Sequence, residues 1–263
     1  MRTRWTLFEV MGIPVRADLS VLVLAAYVLF TTFPQIGVGL FLAVALLVSI
    51  LLHELAHSVV AMAFGGQVRD ITLQLLGGCA AITRMPPKPS HEVLMAAAGP
   101  ICSFALAAIC MTAANWFPMR YPVMEIGDYV LTQEGPNEWL LLAGGLNLGL
   151  ALFNLVPAFP MDGGRILRAG LQCLGRTKVT ATEIAVRVGQ GFAILWAAIC
   201  VLDFMGMRFA APAEWPLALQ LIFNIVFGSG GILLLLIAYM IWVSGKRELD
   251  YVRWEETSYG GWR

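Results

Sequence analysis

The stretch Leu51-Leu-His-Glu-Leu-Ala-His57 places two imidazoles and a carboxylate inside a run of apolar residues. His53 and His57 stand one helical turn apart and so share a helix face. At that spacing two ring nitrogens can hold one zinc ion, with Glu54 beside the metal's water. The surrounding Phe41 to Phe64 reads as one long apolar helix, and Gly65-Gly66 suits its end, where a left-handed cap residue is favoured.

Composition says what solvent this motif sits in. The 263-residue chain is 59% hydrophobic and 13% charged, against roughly 25% charged in an ordinary soluble domain. Lys+Arg and Asp+Glu both total 17, so nothing points to a nucleic-acid partner. The five cysteines are scattered singly with no Cys-x-x-Cys pair, which fits small core residues better than metal ligands or disulfides. Histidine is concentrated instead, with two of the three in the opening motif.

In order along the chain, residues 1–18 read as a short cytoplasmic lead-in, 19–245 as one six-span membrane domain, and 246–263 as a cytoplasmic tail. The expected spans are Leu19 to Phe33, Phe41 to Phe64, Val93 to Trp116, Trp139 to Val156, Val188 to Phe204 and Pro216 to Val243. A secretory signal peptide is the rival for the first of these. Its polar lead is long and no small-x-small cleavage site follows, so it is kept as an anchor. Val68 to Thr83 alternates apolar and polar residues, which predicts a small β-hairpin turning at Gly77-Gly78, too short and polar to span. The basic, Pro-rich Arg84 to Ser90 then interrupts any helix. The expected fold class is an all-α polytopic membrane protein with about six transmembrane helices and a small re-entrant β-hairpin near the active site.

Charge orients this layout. Fifteen Lys and Arg fall in the inner segments, leaving only Arg120 and Arg208 outside. That asymmetry puts both termini in the cytoplasm, as expected for a multi-pass protein of a bacterial inner membrane. The motif then lies roughly 10 to 17 Å in from the cytoplasmic end of its helix. Ionisable groups at such depth mark function unless they are satisfied by interhelical hydrogen bonds.

A catalytic zinc takes three protein ligands and keeps one position open. His91 is one candidate for the third, but it lies in the polar linker. Asp162 is better placed, because the fourth span breaks at Asn154-Leu-Val-Pro-Ala-Phe-Pro-Met-Asp-Gly-Gly164. Freed backbone at membrane depth is tolerated only where it is buried in protein or lines a wet cavity. Gly163-Gly164 would let the chain turn sharply there.

Together, His53-Glu54-Leu55-Ala56-His57 and the set Asn154, Pro157, Pro160, Asp162, Gly163 and Gly164 resemble the site-2 protease family of intramembrane zinc metalloproteases. The likeness extends to Phe64-Gly65-Gly66, Gly77-Gly78 and Ala98-Gly99-Pro100, and covers about residues 39–175. It implies one zinc per chain held by His53, His57 and Asp162, with Glu54 as catalytic base. It also implies a membrane-protein substrate with a single transmembrane helix, cleaved in or next to that helix within the bilayer. The hairpin resembles the family's re-entrant β element, and Gly77 and Gly78 become candidate substrate contacts. Asn154 is a candidate for substrate or oxyanion binding, with an interhelical hydrogen bond as its plainer role; for Asn147 the plainer role is favoured. Cys102 and Ser103 depart from many relatives, which carry an amide nearby. Two rivals are a non-catalytic scaffold of the same fold, against which Glu54 argues, and a metal transporter, which needs more ionisable residues along its spans.

Overall fold

Apolar segments fold as helices here, and the strands form one four-stranded sheet and one two-stranded sheet. The computed structural model describes residues 4–31, 36–74, 77–84, 88–116, 124–126, 129–131, 136–207 and 231–259. The chain divides into two compact units, residues 1–85 with 101–151 and residues 86–100 with 152–263.

In the first unit, α1 (Ser20–Thr31) precedes α2 (Ile36–Ala63). The 28 residues of α2 make roughly 42 Å of helix at 1.5 Å per residue, more than the ~30 Å hydrocarbon core of a bilayer. Gly39, Ala43, Ile50, His53, His57 and Ala61 are buried along it, a stripe at helical spacing that fixes which face turns inward. The helix stops as the sequence predicts. Gly65 has φ +78°, its N–H donates to the Met62 carbonyl, and Gly66 N–H reaches back to the Ala61 carbonyl. This paired arrangement satisfies the last carbonyls of the helix.

Residues 4–18, within the expected lead-in of 1–18, form two strands that the sequence reading did not assign, β1 (Arg4–Val10) and β2 (Ile13–Asp18). They join β3 (Gln67–Gln74) and β4 (Gly77–Arg84) in a four-stranded sheet of order β1-β2-β3-β4. The expected hairpin is thus half of a larger sheet. Strand β2 runs parallel to β3, pairing Val15 with Ile71 and Ala17 with Leu73. Val15, Leu73 and Ile50 of α2 form a buried cluster, so the sheet is anchored on the helix that carries the motif. Gly77 and Gly78 are not the turn. They begin β4, opposite Gln74 and Leu73.

Asp70 of β3 is fully buried, and it accepts from Arg16 at 3.2 Å, Arg69 Nε at 2.8 Å and Thr72 Oγ1 at 3.0 Å. Burial alone would raise its carboxyl; the hydrogen bonds from Arg69 and Thr72 and the charges of Arg16 and Arg69 outweigh it and hold it below the ordinary value.

Helix α3 (Pro89–Ala114) contributes to both units. Short strands β5 (Met124–Ile126) and β6 (Tyr129–Leu131) pair with each other. The fourth expected span is α4 (Pro136–Asn154), and the chain then breaks before α5 (Asp162–Cys173), α6 (Lys178–Phe204) and α7 (Gly231–Tyr259).

In the second unit the break is buried. Val156, Ala158 and Met161 pack with Trp196 of α6 and Leu234 and Ile241 of α7. Arg168 of α5, itself buried, joins Glu92 of α3 and Glu248 of α7, with its guanidinium 5.3 Å from the Phe159 ring centroid. Burial works against that charge, yet the two carboxylates raise its pKa above the ordinary arginine value.

Of the six expected spans, α2, α3 and α6 are long and apolar enough to cross a membrane, and shorter apolar stretches occur at Ser20–Phe30 and Trp139–Asn154. Much of the sixth lies outside the described residues.

Candidate metal centre and active site

Helix α2 sets the geometry of the motif. His53 and His57 are both buried, with ring centroids 4.8 Å apart and planes at 81°, as side chains one turn apart on one face must be. Asp162 is the first residue of α5 and is buried too. One ligand atom from each of His53, His57 and Asp162 lies within 4.8 Å of the others. His91, the other candidate from the sequence, is in the first turn of α3 and outside this group. Two imidazoles and a carboxylate match the donor set of catalytic zinc, which leaves a fourth position for water or substrate.

The two glycines after Asp162 are needed for a reason other than turning. Both are helical. A Cβ on Gly163 would stand 2.3 Å from the Leu155 carbonyl oxygen, and one on Gly164 would stand 2.7 Å from the Ala158 carbonyl carbon. The first turn of α5 therefore lies directly on the backbone of the broken segment, and only glycine permits that approach.

Around Glu54 the sheet comes close. Its Oε2 accepts the Ala80 N–H at 3.1 Å, and a Cβ on Gly78 would stand 2.3 Å from Glu54 Cγ. Gly78 thus bears on the carboxylate by leaving room for it. Gly77 pairs across the ladder with Gln74.

One contributor was not legible in the sequence. Ser103 of α3 is fully buried, with its Oγ 3.0 Å from His53 Nδ1. In the tautomer whose Nδ1–H donates to that hydroxyl, Nε2 presents the lone pair for a metal, and such a bond fixes the ring of a ligating histidine. Cys102, beside it, is spent on the Leu52 carbonyl at 3.7 Å. Asn147 donates to the Ala143 carbonyl of its own helix at 2.9 Å. Asn154 is the last residue of α4 and is half-buried.

A helix long and apolar enough to cross a membrane, carrying two buried histidines and an adjacent Glu, with a buried Asp from a second helix completing the group, defines a metallohydrolase class. A family model described as peptidase family M50 matches residues 41–124 and 122–197. The zinc metalloprotease MJ0392 of Methanocaldococcus jannaschii is 33% identical over 194 residues, covering 72% of this chain and 51% of that one. Stage IV sporulation protein FB of Bacillus subtilis is 27% identical over 123 residues, covering 46% of this chain and 37% of that protein. Among solved structures, the site-2 protease from Methanocaldococcus jannaschii matches with a TM-score of 0.61 at 26% identity, over 94% of this chain and 95% of that one. The chain spans about half or less of the length of the curated relatives it matches, 42% and 51% for two of them. It belongs to peptidase family M50. Zinc is the metal that this family and this donor set call for.

Proposed function

We propose that the chain is an intramembrane zinc metalloprotease that hydrolyses a peptide bond in or next to a transmembrane segment of a membrane-protein substrate. The observation that carries this reading is the buried His53, His57 and Asp162 group with Glu54 on the same turn of α2. His53, His57 and Asp162 hold the metal. When bound, zinc supplies Lewis acidity that acidifies water to a pKa near ~7 and polarises a peptide carbonyl. Glu54 takes the water's proton on its carboxylate and delivers it to the departing amide nitrogen. Ser103 holds the His53 ring.

A helical substrate has its carbonyls tied up and must open first. Strand β4 pairs with β3 alone among the described strands, and Ala80 donates its N–H to Glu54. The outer edge of β4 therefore faces the carboxylate, and an opened segment adding there as a further strand presents its backbone to Glu54. Six spans with both termini cytoplasmic, and a product released towards that side, complete the reading.

Glu54→Gln tests it. With a co-expressed single-span substrate, the variant keeps its zinc and loses cleavage by about 10²- to 10⁴-fold. Cleavage at the wild-type rate by zinc-loaded variant would leave the non-catalytic scaffold as the better account.

A further inference from the structure

We propose that the pocket walled by Phe159, Pro160, Arg165, Ser244, Arg247 and Glu248, about 220 Å³ in volume, binds a phosphate group, carried by a phospholipid headgroup or free in solution. This goes beyond the protease reading and does not depend on it.

Five cations in the described residues are already committed. Arg16, Arg69, Arg168, Lys178 and Arg253 each rest on a carboxylate. Arg165 in the first turn of α5 and Arg247 of α7 line the pocket and have no ion pair or hydrogen bond among the described residues. Ser244 adds a hydroxyl that is likewise uncommitted. Glu248 does not neutralise the pocket, because its carboxylate is engaged by buried Arg168. Arg165, Arg168 and Arg247 against Glu92 and Glu248 leave one positive charge, which a phosphodiester matches. A guanidinium fork from Arg165 of α5 and, from α7, the fork of Arg247 with the Ser244 hydroxyl suit a tetrahedral group better than a planar carboxylate, which one fork satisfies.

Position favours a headgroup. Along α7 the exposed residues Leu235, Leu236, Tyr239 and Trp242 give way to Ser244, Lys246 and Arg247. Tyr and Trp concentrate at the water–lipid boundary, and Ser244 and Arg247 follow Trp242 by roughly half a turn to one and a half turns, where basic pockets meet lipid phosphate.

The test uses the full zinc-loaded chain in neutral detergent. Thermal midpoints are followed while adding phosphatidylglycerol, a phosphate-free diacyl glycolipid, or inorganic phosphate. Phosphatidylglycerol should raise the midpoint saturably and the glycolipid should not. Arg165→Gln with Arg247→Gln should weaken the apparent affinity at least tenfold, while Arg253→Gln leaves it unchanged. Arg247 is exposed, so Arg247→Gln alone provides a variant tolerant of folding, with several-fold weakening expected. Saturation by inorganic phosphate alone, sensitive to the same arginines, assigns the site to free phosphate. An equal shift with the glycolipid, no shift with either phosphate source, or wild-type affinity in the arginine variants overturns the proposal.

Discussion

Glu54 and Asp70 are carboxylates in the same unit, on a helix and a sheet that pack together, and their surroundings fit them for opposite work. Asp70 is gripped by Arg16, Arg69 and Thr72, so its proton is held off and its geometry fixed. Among the described residues the Glu54 carboxylate accepts one main-chain N–H, from Ala80, and its carbon stem lies in the gap that Gly78 leaves. A carboxylate committed to several cations braces a fold; one held lightly, beside metal ligands, keeps lone pairs for a proton.

Substitutions that exchange or spoil these surroundings sharpen the contrast. The largest effect belongs to Glu54→Gln, which removes the proposed base and, by this contrast, leaves the melting midpoint near that of wild type. Next is Gly78→Ala. Its Cβ displaces Glu54 or β4, and a misplacement of about 1 Å costs on the order of 10²-fold in kcat. Zinc content should not change, and loss of zinc in this variant would relocate the role of Gly78 to the metal ligands. Ser103→Ala removes a contact that orients the His53 ring, and equilibrium zinc titration should register about 10- to 100-fold weaker binding. Unaltered zinc affinity would reduce the Ser103 contact to packing.

Asp70→Asn has the smallest effect on chemistry and is read in stability. Its charged hydrogen bonds are worth about 1–3 kcal/mol, towards the low end because Arg16 and Arg69 are partly exposed and can rehydrate. The folded carboxyl titrates below the unfolded one, whose pKa is about 3.9. The Asp70 contribution is therefore complete above roughly pH 5 and is lost as pH falls through the folded value. Wild-type melting midpoints should drop along that acid limb, and Asp70→Asn should lack this part of the drop. An identical acid limb in both proteins would mean that Asp70 does not brace the sheet.

The pattern of legibility follows from range. Two imidazoles one turn apart, a helix end at Gly65-Gly66 and an Asp beside two prolines are local signals, and the structure uses each of them. The pairing of β2 with β3 is not local. Ile13, Val15 and Ala17 alternate in burial, but their parallel neighbour arrives only after α1 and α2 have crossed over, so 4–18 reads as a lead-in. Gly77 and Gly78 read as a turn for the same reason: strand register, which no short window contains, puts them in β4. Gly163 and Gly164 were legible as necessary and misread in cause, since a backbone stacked on a backbone looks in sequence like a backbone that bends.

By itself the sequence determined the membrane setting, the chemical types of the metal-binding group and the residues that carry them, because hydropathy and helical spacing are properties of neighbours in the chain. Tertiary structure alone decided that Ser103 meets His53, that Gly78 makes room for Glu54, and that Asp70 is braced while Glu54 is lightly held. Those are contacts between segments far apart in sequence, and they exist only once α2, α3 and the sheet have packed.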